Sequence, residues 1–184
     1  IKRHPEARGT FKWEPKNDPN LPVPSDEEMA LMRHMVYGLK YNPNAGVLPL
    51  TSYLTKLPGL THLTFGQNFN QPIGALAGLG NLTHLTFGYV FDQPIDALGG
   101  LGNLTHLTFG THFNQPIGAL EELTTLTHLT FGQNFNLPID TLRGLGNLTH
   151  LTFGEIFDQP IGVLRGLGKL THLTFGMFFN QPID

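Results

Sequence analysis

Six histidines recur at a fixed interval: His62, His84, His106, His128, His150 and His172. A neutral imidazole can ligate zinc or copper, move protons near neutral pH, or fill and hydrogen-bond a polar surface. Which of these applies depends on what stands around the ring. Each histidine sits in the same text, Leu-Thr-His-Leu-Thr-Phe-Gly, and the chain contains no cysteine. That absence removes disulfides, thiolate metal sites and a thiol nucleophile together. Only Ser25 and Ser52 could serve as serine nucleophiles, and neither stands in a nucleophile-elbow pattern.

A repeat positions these histidines. From Leu60 the text recurs every 22 residues, with registers at Leu60, Leu82, Leu104, Leu126, Leu148 and Leu170. Five units are full, and Asp184 is the fifteenth position of the sixth. The shared pattern is L-T-H-L-T-F-G-x-x-F-[ND]-x-P-I-x-x-L-x-x-L. Leu54 and Leu57 fall where the last two leucines of a degenerate earlier unit belong. This period predicts a repeat solenoid of leucine-rich-repeat type, with one short parallel β-strand per coil, an irregular or 3₁₀ outer face and an N-terminal capping helix.

In such a strand Leu60, Leu63 and Phe65 face inward, and the third and fifth positions face outward. The histidines then form one exposed row, roughly 4.8 Å apart, beside a row of threonines from Thr64 to Thr174. A glycine column from Gly66 to Gly176 follows. Two phenylalanine columns, Phe65 to Phe175 and Phe69 to Phe179, predict the core, each buried ring contributing roughly 1.5–3 kcal/mol. Pro72 stops the strand, Leu76 and Leu79 suit a 3₁₀ turn, and Gly80-Asn81 turns the chain back.

The chemistry this lattice supports is narrow. Rings stacked in parallel do not converge tetrahedrally, and no Asp, Glu or Cys completes a shell on that face, so no metal ligand and no cofactor is expected. Protonated neighbours would repel, which predicts titration below the usual value of about 6.5 and a fold weakened by acid. Thr61 and Thr64 are three apart and do not share a face, which argues against a two-column ice-binding surface. The column Asn70, Asp92, Asn114, Asn136, Asp158 and Asn180 lacks a calcium-loop pattern and reads as an inter-coil amide ladder. Asp92 and Asp158 are three coils apart, roughly 14 Å at the strand pitch, too far to act as paired catalytic carboxylates. With no nucleophile, acid–base pair or cofactor loop, the chain does not read as an enzyme.

Sequence variation concentrates at the eighth and ninth positions, while their neighbours barely change. After Gln67-Asn68 the pairs are Tyr89-Val90, Thr111-His112, Gln133-Asn134, Glu155-Ile156 and Met177-Phe178. Together with the histidine row, the five pairs from Tyr89 to Phe178 are the candidate partner-binding positions.

Outside the array the composition shifts. Residues 1–59 carry 8 basic and 6 acidic side chains, leaving 3 basic and 8 acidic for 60–184. We expect an extended Pro-rich arm over 1–24 and a capping helix with the degenerate first repeat over 25–59. Ser25-Asp26-Glu27-Glu28 is a capping box, and Met29, Met32, Val36 and Leu39 form a helical apolar stripe. The net charge of −3 offers nothing to nucleic acid or an anionic membrane. No apolar run approaches the roughly 20 residues of a membrane span. Asn81, Asn103 and Asn147 open N-L-T sequons but read as turn residues, and the lack of cysteine favours an intracellular setting. Ile1 at the start suggests a processed or truncated chain. At the other end Met177, Phe178 and Ile183 lack a following coil, so a protein partner or larger assembly is expected there.

Six tandem cores of the kind Phe69-Asn70-Gln71-Pro72-Ile73, each preceded by Phe-Gly, resemble the FNIP-type subclass of leucine-rich repeats. The likeness covers Leu60 to Asp184, with Asp92, Asp158 and Leu137 as mild departures. It implies a non-catalytic interaction module and transfers no active site. Members often follow an F-box or another adaptor domain, which 1–59 does not resemble. The function expected is protein–protein interaction through the concave His/Thr face and its rim. A structural subunit packed end-on in an assembly is the alternative, and a metal- or pH-responsive histidine ladder is the third reading.

Overall fold

A 22-residue coil is too small to enclose its own apolar side, so it must bury that side by stacking on copies of itself. The computed structural model describes 59–183, Leu54, Leu57 and the backbone of Lys12–Trp13 and His34–Tyr37. The strands form one parallel sheet of eight in chain order: β1 Lys12–Trp13, β2 His34–Tyr37, β3 His62–Phe65, β4 His84–Thr86, β5 His106–Thr108, β6 His128–Thr130, β7 His150–Thr152 and β8 His172–Thr174. From β3 onward the register sets His beside His, Leu beside Leu and Thr beside Thr.

The sheet extends further toward the N-terminus than the period indicates. In β2 the partners are His34 with His62, Met35 with Leu63, Val36 with Thr64 and Tyr37 with Phe65. His-Met-Val-Tyr is thus a remote copy of His-Leu-Thr-Phe. Over these four residues the expected helix is replaced by a strand. An open β3 edge presents a row of unpaired N–H and C=O groups, and Val and Tyr favour the pleated backbone that satisfies them. Lys12 and Trp13, expected in an unpaired arm, pair with His34 and Met35. The rest of the arm and of the capping helix lies outside the described residues.

Beyond each strand the apolar residues fall three apart, and the backbone follows them. Leu76 N–H bonds Ile73 O, Leu79 N–H bonds Leu76 O, and Leu82 N–H bonds Leu79 O, all at 2.9 Å. In 3₁₀ geometry residues i and i+3 eclipse, so all four side chains point into the core. The turns Gly74–Gly78, Asp96–Leu98, Gly118–Glu122, Asp140–Gly144 and Gly162–Gly166 make up the outer face. Leu54, Leu57 and Leu60 repeat the same bonds and are buried, so the earlier unit keeps the core geometry of its successors.

The core is built from two phenylalanine columns, as the register requires. Rings of the first column repeat at 5.3–5.6 Å and rings of the second at 6.0–6.2 Å. The two columns also stack on each other within every coil, at 3.8–4.0 Å.

Polar ladders hold the coils in register at the turns. The Asn/Asp column bonds from coil to coil: Asn70 Oδ1 accepts from Asp92 N–H and from the Gln93 amide, and Asp92 Oδ1 accepts from Asn114 N–H and the Gln115 amide. Leu137 interrupts the glutamine half of this ladder, so Asn114 Oδ1 accepts only Asn136 N–H. The sequon residues form another ladder, with the Asn103 amide on Gly80 O and the Asn147 amide on Thr124 O.

Among the described residues one buried side-chain polar atom lacks a partner. Thr141 Oγ1 makes no hydrogen bond in a column otherwise occupied by Ala75, Ala97, Ala119 and Val163. A desolvated hydroxyl without a partner costs stability, and valine has nearly the same shape without the oxygen. Thr141→Val should stabilise the chain by about 1 kcal/mol, raising Tm by roughly 2–4 °C in a scanning calorimeter.

Candidate functional site

The outward third position builds a continuous stack of imidazoles. From His62 to His172 successive ring centroids lie 4.0, 4.1, 4.1, 4.2 and 4.1 Å apart, with planes within 12°. Equivalent side chains are thus closest in the histidine row, wider in the first phenylalanine column and widest in the second. The coils therefore splay away from the sheet face, and the histidines line the inner, concave radius.

Each ring is anchored by the threonine before it, a role the sequence reading missed. Thr105 Oγ1 donates to Thr83 O at 3.0 Å and lies 2.9 Å from His106 Nδ1. The same pair of contacts recurs at Thr83/His84, Thr127/His128, Thr149/His150 and Thr171/His172. The Thr83 carbonyl also accepts the backbone N–H groups of Thr105 and His106. The hydroxyl thus stands between that oxygen and Nδ1 and holds the ring in place whichever ring nitrogen carries the proton. The signal was the invariant Thr-His dipeptide, visible in every unit.

Burial lowers the pKa of His106, His128 and His150, and the neighbouring imidazoles lower it further. The sequence pointed to mutual repulsion, whereas desolvation is the larger cause. Below pH about 6.5 the unfolded chain takes up protons that these rings resist, so stability must fall with pH there. The Asp158 carboxyl is held below its usual range by the Gln181 amide and then by Asn180 N–H, which adds a further loss below about pH 4. The urea midpoint should decline between pH 7.5 and 5, and His106→Gln should flatten that decline. A midpoint constant over this interval would contradict both statements.

The fifth-position threonines run beside the histidines, half-buried to Thr152 and exposed at Thr174. Asp, Glu and Lys are absent from both rows. Among the described residues no three of His, Asp and Glu converge on a common point.

The rim is more ordered than a set of exposed loops. Backbone N–H groups of Val90, His112, Asn134, Ile156 and Phe178 bond the eighth-position carbonyls of the preceding coil at 2.9–3.2 Å. The variable pairs therefore ride on a ladder of their own. Val90, Thr111 and Glu155 are half-buried, while Gln133, Asn134, His112 and Ile156 are exposed. Tyr89 is 52% exposed and packs its ring 4.6 Å from that of His112, tilted by 52°.

The coil of β8 shows its interior. Leu173 is 40% exposed where Leu151, one coil earlier, is 1% exposed, and Met177, Phe178 and Ile183 are all exposed. A recess of about 350 Å³ lies there between Leu164, Arg165, Leu173 and Ile183. Among the described residues no helix is long and apolar enough to cross a membrane.

No protein-family model and no curated protein matches the chain. Solved structures do. Internalin C2 from Listeria monocytogenes superimposes with a TM-score of 0.56 at 20% identity, over 82% of this chain and 84% of its own. Internalin InlF from the same bacterium gives 0.57 at 22% identity, over 85% of this chain and 52% of its own. CroV588, described as a novel circular leucine-rich-repeat protein, gives 0.54 at 37% identity, over 84% of this chain. The present chain spans only 25% of that circular protein's length. The fold is that of a leucine-rich-repeat solenoid.

Proposed function

We propose that this chain is a non-catalytic, FNIP-type leucine-rich-repeat module that binds another protein across its concave histidine/threonine face and variable rim. The rim is the observation that carries this reading. It holds varied, solvent-facing side chains, Tyr89, His112 and Ile156 among them, on a regular hydrogen-bonded ladder beside nearly invariant columns. Rigid display at regular spacing suits recognition, because few contacts need ordering on binding. Curved solenoids commonly use such a concave surface.

The test compares capture of partners by the unmodified chain and by a Tyr89→Ala/His112→Ala/Glu155→Ala variant. An outer-face Ala77→Arg variant serves as the control. We expect the rim variant to lose partners that the control keeps. Equal capture by all three would transfer weight to the second reading, a subunit packed end-on in a larger assembly. That reading draws on the exposed apolar column of the β8 coil and on the likeness to a circular protein. Sedimentation distinguishes it, since Leu173→Asp would then abolish association that the rim variant retains.

A further inference from the structure

We propose that the concave histidine row is a binding track for a sulfated polysaccharide, silent at neutral pH and switched on by mild acid. The inference goes beyond the protein-binding reading above and makes no use of the rim. It rests first on register. The third-position column runs from His62 to His172 and continues, in backbone register, to His34 on β2 and Lys12 on β1. Eight successive strands thus place a basic residue at one position, and no carboxylate shares that column. Each ring from His84 to His150 is faced by the imidazoles of both adjoining strands and by the hydroxyl of the threonine before it. The rim adds Glu155 and His112. The other carboxylates among the described residues belong to the Asn/Asp ladder or to the outer 3₁₀ turns.

Charge on this row comes from protons, and the stack sets how they arrive. Burial, and then the neighbouring rings, hold His106, His128 and His150 below the usual imidazole range, so the row is neutral at pH 7. Adjacent imidazolium rings would lie 4.1–4.2 Å apart. Alternate ones lie about 8 Å apart, where their repulsion is about half as large. Acid therefore charges every second ring first, and anions lying along the row offset the repulsion that holds back the rest. Binding is then linked to proton uptake and strengthens as pH falls. An imidazolium carries N–H on both nitrogens, so the tautomer of the neutral ring has no bearing on this. With Nδ1 of His106, His128, His150 and His172 held at a threonine hydroxyl, Nε2–H is left for the anion.

Three features select the ligand class. Rings within the row cover one another's faces and leave no platform for nucleobases, whereas binders of single-stranded nucleic acid rely on such platforms. The threonine column alongside is half-buried at Thr86, Thr108, Thr130 and Thr152, and these hydroxyls bond no protein group. They are left to meet sugar hydroxyls and sulfate oxygens. A sulfate ester also stays ionised through the range in which imidazole gains its charge, whereas a phosphate monoester, with a second pKa of about 6, loses charge there.

Dextran sulfate is the probe, with unsulfated dextran and oligo(dT) as comparison arms, each titrated into the full chain at constant ionic strength. Affinity for dextran sulfate should rise roughly ten-fold or more from pH 7.5 to 5.5, with net uptake of protons. The polymer should raise Tm at pH 5.5 and leave it unchanged at pH 7.5. Constant affinity over that interval, or no binding at pH 5.5, would overturn the proposal. Equally tight binding of oligo(dT) or of unsulfated dextran would overturn the assignment to a sulfated glycan. His106→Gln/His128→Gln/His150→Gln should bind roughly five-fold or more weakly at pH 5.5. Arg143→Gln/Arg165→Gln/Lys169→Gln, which removes three cations away from the row, should stay near the parent, as should the rim variant. Equal losses in the histidine and the Arg/Lys variants would show that net charge alone attracts the polymer, and this too overturns the proposal. The pH dependence and proton uptake of the unmodified chain need no substitution, so a folding defect in a variant cannot shield the proposal from refutation.

Discussion

Gly110→Ala should destabilise the array by about 3 kcal/mol, the upper part of the range for forcing atoms into a packed interior. A Cβ on Gly110 would lie 1.9 Å from Gly88 O and 2.5 Å from its carbon, and the atoms it meets are backbone. The same holds along the column, at 2.1 Å for Gly88, 1.9 Å for Gly132 and 2.0 Å for Gly154. Backbone cannot swing aside as a long side chain can. Relief requires two coils to part, and the rim bond from His112 N–H to Tyr89 O resists that movement. Gly102→Ala is the matched control, since its Cβ would meet nothing within 4 Å. There the smaller entropy of the unfolded chain should leave stability unchanged or raise it by about 0.4–1 kcal/mol. Urea unfolding of the two variants should separate them by more than any difference in glycine propensity could. Similar losses at both sites would mean that close approach is not what holds glycine in this column.

The glycine column shows where the sequence stopped being informative. Its period was plain; the reason for it is a carbonyl about 2 Å from where a Cβ would stand, a distance no spacing rule contains. The phenylalanine columns were legible because each ring's chief neighbour is the same residue 22 positions away. The Asn/Asp ladder was legible for that reason too, and its glutamine half emerges only when the amide is seen to share the same oxygen. His34–Tyr37 escaped notice because it precedes β3 by 28 residues instead of 22 and matches the repeat only in character. A local apolar stripe at helical spacing then outweighed a strand whose partner was distant in sequence. At the concave face the row of histidines could be read directly, but the anchor of each ring depends on a hydroxyl that also reaches a carbonyl of the preceding coil. Curvature was hidden for a different reason: it lies in the small differences among three column spacings.

Phe113→Ala should cost about 3–5 kcal/mol, the range for removing a buried aromatic ring whose surroundings relax only in part. Phe113 is fully buried. Its ring stacks on Phe109 of its own coil at 3.9 Å and lies 6.1 Å from Phe91 and from Phe135 on either side. Collapse onto the vacancy would have to draw three coils together, yet their spacing is already fixed by the strand ladder, the rim ladder and the Asn/Asp column. Total stability for a chain of this size lies in the range of about 5–15 kcal/mol, so the loss is a large share of the whole. Position in the array makes the prediction sharper. In a stack stabilised by nearest-neighbour interfaces, an inner coil loses contact on both sides and an end coil on one. Phe179 packs on Phe175 and Phe157 but is only partly buried, so Phe179→Ala should cost less than half as much. Weakening the middle also uncouples the two halves, which should lower the urea m-value of Phe113→Ala while leaving that of Phe179→Ala near the parent's. Equal losses at the two positions, with unchanged m-values, would show that the stabilising unit is the single coil rather than the interface between coils.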